Sequence, residues 1–198
     1  MARIKLTKME LKAQTDALKR FQRFLPMLQL KKQQLQSEIA GILAKTQAVV
    51  EEESSVRNSL SRWVGLFAAD EEACRGLVSV NEIKTGQSNI AGVPIPTFER
   101  IATTLKKLDK WATPAWMDEA QSVIEQVLSL QAKRKVYEEQ CRLVTRELQL
   151  TSQRVNLFEK VKIPGCREAI RIIKIALGDE QTAAVTRGKI AKSRTPQQ

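Results

Sequence analysis

Apolar residues return with a period of seven along two long stretches of this chain, and that repeat limits what it can fold into more than any other feature. Stepping by sevens gives Leu11, Leu18, Leu25, Lys32, Ile39, Thr46, Glu53, Leu60 and Phe67. The companion series reads Gln14, Phe21, Leu28, Leu35, Ile42, Val49, Val56 and Trp63. Thirteen of these 17 positions are apolar, where a 42% apolar composition would supply about seven. The second half repeats the pattern with Trp116, Val123, Leu130, Tyr137, Val144, Thr151 and Phe158, accompanied by Ala120, Val127, Arg134, Cys141, Leu148, Val155 and Lys162. Eleven of those 14 are apolar. A repeat of 3.5 residues keeps one seam facing a partner helix and specifies a left-handed coiled coil. A helix of roughly 57 residues would be on the order of 85 Å long.

The two stretches are separated by a segment of different character. "LVSVNEIKTGQSNIAGVPIPTFERI" carries β-branched residues around "TGQS", with Gly92, Pro94 and Pro96 beyond. It predicts a short helix near 70–76 followed by a β-hairpin turning at "TGQS", or an extended loop. "TPAWMDE" offers Thr113, Pro114, Asp118 and Glu119 as a helix start, and Gly178 offers a stop. The expected organisation is an N-terminal coiled-coil helix over 1–69 and a middle insert over 70–112. A C-terminal coiled-coil helix over 113–178 and a basic tip over 179–198 complete it. Two long helices joined by a compact insert most simply fold back antiparallel, with the insert at one tip and both chain ends at the other. The fold class is therefore mainly α: a long antiparallel two-helix coiled coil with a small α/β-hairpin insert at the turn. Leu35 should then lie near Val144 or Leu148, and Phe21 near Phe158.

Charge becomes informative in that fold. The net charge is +11, yet the excess sits at the ends. Residues 1–35 carry nine Lys or Arg against two acids, and residues 154–198 carry ten against four. The middle has 14 against 16. An antiparallel hairpin merges the two basic segments into one basic end. Apolar residues off the seam (Phe24, Met27, Leu30, Ile172, Ile175) exceed what a two-helix seam consumes, and "AIRIIKIAL" at 169–177 is apolar nearly all round. A partner protein is the expected cover. Ile83, Ile90 and Val93 in the insert read as exposed apolar residues fit to dock further partners.

No catalytic constellation is present. The chain has 0 His, which excludes imidazole acid–base chemistry and disfavours most transition-metal sites. It lacks the Gly-rich phosphate loop, the dinucleotide fingerprint, C-x-x-C and the nucleophile elbow. Neighbouring acids such as Glu51, Glu52 and Glu53 point different ways on a helix and make a solvated face rather than a metal cage. No cofactor or metal is expected. Cys74, Cys141 and Cys166 are an odd, scattered trio that suits a reducing compartment. No apolar stretch reaches membrane-spanning length and the N-terminus has no apolar signal core, so direct membrane insertion is not expected.

One stretch runs against the helical pattern. "RVNLFEKVKIPGC" (154–166) places Pro164 and Gly165 inside the second helix, where proline removes a hydrogen bond and crowds the preceding turn. The apolar spacing resumes at once with Ile170, Ile173 and Leu177. Across the proline the seam steps eleven residues, from Val155 to Cys166, a step that locally unwinds a left-handed supercoil. Pro26 is expected to break the first helix in the same way.

"KLTKMELK" at the start, "FLPMLQLKKQQL" at 24–35, "RVNLFEKVKIP" at 154–164 and a basic C-terminus together resemble the D subunit of V-type and A-type ATPases, in its bacterial branch. The resemblance covers essentially the whole chain. Its most specific residues are Arg154, Val155, Asn156, Glu159 and Pro164, with Leu25 and Pro26 in support. The chain departs from the family at "GDEQTAAVTRGKIAKSR", where many members carry an acidic-aromatic run. The resemblance implies a non-catalytic rotor axle that passes torque between ATP turnover and proton or sodium movement. It implies that the chain ends insert into a hexamer of catalytic A and B subunits. It also implies that the stalk's F subunit binds alongside, and that the lower end seats on the funnel-shaped C or d subunit above the membrane ring. Residues facing the hexamer would be Arg3, Lys5, Lys8, Lys12, Ile172, Ile175, Arg187, Lys189, Lys192 and Arg194. The implied location is cytoplasmic, peripheral on the inner face of the cell membrane.

The alternative is a basic coiled-coil arm that binds nucleic acid, or a scaffold. The basic ends are interleaved with aliphatic residues rather than stacking aromatics, so nucleic acid is not an expected partner.

Overall fold

The computed structural model describes residues 5–60, 76–108, 113–114 and 116–194. The short helix expected near 70–76 lies almost wholly outside the described residues, as does Arg3.

Helix α1 runs over Lys8–Leu60. Thr7 caps it, its hydroxyl accepting the Glu10 N–H at 3.3 Å while its carbonyl accepts the Leu11 N–H at 3.0 Å. Pro26 does not break this helix. It lies on the exposed side, as does Gln22, whose carbonyl loses its helical partner there and can turn to water.

Helix α2 spans Trp116–Leu157, with Asp118 and Glu119 in its first turn where the helix dipole favours negative charge. A single π turn, Phe158–Lys162, joins it to α3, Ile163–Arg194. The second rod is therefore continuous through Pro164, and it passes Gly178 without stopping. The π turn supplies the reason. The Ile163 N–H bonds to the Phe158 carbonyl, five residues back, just before the proline that could not have donated in the ordinary pattern. One extra residue enters the turn, and the seam moves by one. Thr151 and Val155 are buried before it; Ile163, Cys166, Ala169 and Ile173 are buried after it. A seven-residue seam continued without a shift would have turned Lys162 and Gly165 inward instead. The expected eleven-residue step between two seam residues, Val155 and Cys166, is present, and its mechanism is a π turn rather than a break.

The chain divides into two units, one of residues 33–149 and one combining residues up to 32 with those from 150 onward. In the first, Leu35, Ile42 and Val144 share one buried cluster, with Leu148 packed against it. Glu53 meets Arg134, so the helices are antiparallel. In the second, the rings of Phe21 and Phe158 lie 5.0 Å apart. Both expected pairings are met.

The insert departs from expectation. Strands β1 (Val78–Ile90) and β2 (Val93–Leu105) pair antiparallel, but "TGQS" lies inside β1, where Gly86 faces Thr97. The turn is Ala91-Gly92, with φ of 50° and 85°. Two positive φ values make the type I′ turn whose twist matches that of the strands, and the Asn89 side chain accepts the Gly92 N–H at 2.8 Å. Alternation from the closing pair Ile90/Val93 puts Pro94 and Pro96 where an N–H would face away from β1, which is why a strand tolerates both.

Nor does the hairpin simply cap a tip. Its base is tied to the start of α2, where the Gln121 amide donates to the carbonyls of Leu77 and Lys106 at 2.9 and 3.1 Å. Its far end lies much further along, where Val93 and Ile95 join the Leu35–Val144 cluster and the Gln140 amide donates to the Pro96 carbonyl. The hairpin thus lies alongside the helix pair. Helix α2 has a second buried stripe, Ala132, Val136 and Gln140, at helical spacing off the seam, and its Gln140 meets the hairpin.

Candidate functional site

With neither pocket chemistry nor a cofactor motif in the sequence, the surfaces are the candidate sites. Among the described residues no group of His, Cys, Asp and Glu comes together to hold a metal, and no helix is long and apolar enough to cross a membrane.

The chain-end unit carries the basic segments. Lys5, Lys8 and Lys12 are exposed on or beside α1, and Arg187, Lys189, Lys192 and Arg194 are exposed on α3. From Gly178 to Arg194 every residue is exposed, so this last stretch of helix is not packed into the core of the described residues. An isolated helix of that length is marginal in water, and an enclosing partner would stabilise it. The seam residue near this end is Ile173, fully buried at 0%. Ile172 is half-buried, whereas Ile175 is 52% exposed. "AIRIIKIAL" is apolar all round because one part feeds the shifted seam and another faces outward.

In the other unit, the apolar residues expected to be exposed on the hairpin divide differently. Val93 is buried and Ile90 packs on the helix cluster, so both hold the hairpin to its own chain. Ile83 alone of the three is exposed, with Val80 and Leu105 as further exposed apolar residues on the strands.

A polar group interrupts the seam at Glu53, which is buried. Its carboxylate accepts from Gln131 Nε2 at 3.2 Å, from Arg57 at 2.8 and 3.0 Å, and from Arg134 at 3.3 Å. The Gln131 hydrogen bond first, and the two guanidiniums after it, hold the Glu53 carboxyl below the usual carboxylate range against the opposing pull of burial. A single buried polar residue at a seam position costs stability in exchange for fixed register. A carboxyl with a lowered folded-state pKa adds stability that is present above its unfolded value near 4.5 and is lost as pH falls through the folded value. Denaturation midpoints of wild type and Glu53→Gln should therefore differ at pH 7 and converge as pH falls below the unfolded value near 4.5. A difference independent of pH would remove the charge from this account.

Residues 10–193 match the family of the ATP synthase D subunit. The chain belongs to the ATP synthase D-subunit family. It is 44% identical over 193 residues to the V-type ATP synthase D subunit of Borreliella burgdorferi, covering 98% of this chain and 95% of the relative. Identity to the D subunit of Chlamydia muridarum is 32% over 203 residues, covering 99% of this chain and 98% of the relative. For that of Chlamydia felis it is 29% over 198 residues, covering 99% and 95%.

The residues that carry the resemblance have distinct places in this D-subunit chain. Val155 is a buried seam residue and Leu25 is half-buried. Arg154, Asn156, Glu159, Pro26 and Pro164 are exposed, grouped about the π turn and the proline of α1. Sequence reasoning did not single out Leu77, fully buried at the hairpin base, or the Ala132–Val136–Gln140 stripe. The off-seam apolar residues Ala132 and Val136 were the available signal for the stripe.

Proposed function

We propose that this chain is the central-stalk rotor subunit of a bacterial V/A-type rotary ATPase. In this role it transmits torque between ATP hydrolysis or synthesis in a catalytic A/B hexamer and proton or sodium translocation through a membrane ring. The observation that carries the reading is the match to V-type ATP synthase D subunits along nearly the whole of both chains. The chain-end unit supports it, since both basic segments belong to that unit and α3 ends in a fully exposed basic helix. The axle itself catalyses nothing and needs no cofactor.

In this reading the end containing Arg3, Lys5, Lys8, Lys12, Arg187, Lys189, Lys192 and Arg194 enters the hexamer. Exposed charges act at long range and are screened by salt, so they bias approach and position more than affinity. Ile172 and Ile175 add apolar contact there. The stalk's F subunit binds beside the helices and the funnel-shaped C or d subunit receives the opposite end, with Ile83 as a hairpin contact. The protein is then peripheral on the cytoplasmic face of the cell membrane. The test is affinity isolation of the tagged chain from native membranes, with partners identified by mass spectrometry. Recovery of the A, B and F subunits together is expected. Recovery of nucleic acid, or of the chain alone, would overturn the rotor reading.

A further inference from the structure

One face of the chain-end unit is apolar where none of the described residues covers it. On α1, Phe24, Met27 and Leu30 are 48%, 60% and 60% exposed; on the second rod, Leu150, Leu157 and Val161 are 41%, 42% and 58% exposed. Scattered exposed apolar side chains are ordinary on a protein surface and a grouped set is not, so their placement decides.

At about 100° per residue, Leu150 and Leu157 lie roughly 120° round α2 from the seam residues Val144, Thr151 and Val155. On α1, Phe24 and Met27 lie about 70° and 125° round from Phe21, Leu25 and Leu28, in the same rotational sense. In an antiparallel pair, equal displacements in the same sense bring both sets to the same side. The contact of Phe21 with Phe158 sets the alignment along the pair and places residues 24–30 level with about 149–155. Phe24 and Met27 of α1 therefore share one side of the pair with Leu150, Leu157 and, one turn beyond Leu157, Val161, beside Pro26 and the π turn, whereas Leu30 points away from the seam.

The border of this strip is mainly basic, although Asp16 of α1 and Glu147 of α2 fall on the same side by the same arithmetic. Arg20 and Arg23 flank the strip on α1, and Arg154 and Lys160 flank it on the second rod; all four are exposed, and none makes an ion pair among the described residues. Glu159 projects to the opposite side of its helix.

We propose that this strip is a docking surface for a protein partner with an apolar centre and an acidic border. Charge complementarity selects that occupant. A second copy of the chain would bring the same four cations face to face, a like-charge contact that costs rather than contributes. A lipid surface is the poorer fit, because the strip lacks the Trp and Tyr of an interfacial helix and its cations border it closely instead of forming a separate polar face. The inference rests on the stalk reading above and gives one stalk contact a location and a chemistry.

The test uses the assembled complex isolated from native membranes through a tag on this chain. Three versions are compared: wild type, Met27→Asp with Val161→Asp, and Ser37→Asp with Leu43→Asp, which adds the same charge at exposed positions outside the strip. Helical melting of each isolated chain checks folding. The double aspartate variant should melt like wild type yet recover at least about tenfold less of the partner subunits at both low and high salt, because apolar hot spots dominate affinity. A photo-crosslinker at residue 27 or 161 should mark a partner segment in which apolar residues are bordered by Asp or Glu. Wild-type recovery by the double variant, or crosslinking to lipid or to a second copy of this chain, would overturn the docking surface while leaving the stalk reading intact. If the wild-type chain itself recovers no ATP synthase subunits, the stalk reading fails instead.

Discussion

Ile173→Asp should unfold the chain-end unit, whereas Ile175→Asp, two residues on, should leave it folded. Ile173 is fully buried at 0% and Ile175 is 52% exposed. Burying a carboxylate without a partner is among the few single changes that cost on the order of 4 kcal/mol or more, while surface substitutions usually stay within about 0.5 kcal/mol. The contrast tests the π turn as well as burial. Were the seven-residue seam of α2 to continue unshifted, Thr151 would be followed three heptads on by Ile172, leaving Ile173 outside. The order of damage should be Ile173 first, Ile172 second and Ile175 last. It can be read from thermal melts followed by circular dichroism and from protease sensitivity of the terminal helices. If Ile172→Asp proves the most damaging of the three, the seam does not shift at Phe158–Lys162.

That shift shows how far sequence reasoning reaches here. The heptad series specified which residues meet, and Leu35 with Val144 and Phe21 with Phe158 follow from it directly. The anomaly at Pro164 was visible as an eleven-residue step between Val155 and Cys166. Its form was not, because a proline excludes one hydrogen bond and several backbone responses satisfy that exclusion, among them kinks, breaks and π turns. The hairpin turn was misplaced for a related reason. Gly86 in "TGQS" is an obvious turn residue, while the actual turn pairs Gly92 with Ala91, which adopts a positive φ that alanine rarely takes. Strand pairing and contact with the helices settle that competition, and neither is local. Val93 was misread as exposed because a strand's period of two shows that one face is buried without showing against what. On the candidate surfaces, charge was legible residue by residue, but the apolar strip needed the pairing of two helices before Met27 and Val161 could be placed on one side.

The hairpin's dependence on that pairing gives the second large effect. Leu35→Ala should cost about 2–5 kcal/mol, as removal of a fully buried leucine side chain does when the surroundings cannot close the cavity. Leu35 is 0% exposed and shares its cluster with Ile42 of α1, Val144 of α2, and Val93 and Ile95 of β2, so collapse at this point would have to move three elements together. A two-stranded hairpin is marginal by itself, and β1–β2 holds its far end through this cluster and the Gln140–Pro96 hydrogen bond. The loss should therefore extend beyond the helices. Amide exchange near Val93 and Ile95 should speed up in Leu35→Ala under conditions where the helices remain folded, because the far end loses its anchor before the base held by Gln121 does. Leu43→Ala, on the same helix but 53% exposed, is the control and should change stability by no more than about 0.5 kcal/mol. Denaturant unfolding measures the first difference and hydrogen exchange the second. If Leu35→Ala destabilises the helices while exchange in the hairpin is unchanged, the hairpin is held by its base alone, and the Leu35–Val93–Ile95 cluster does not couple it to the coiled coil.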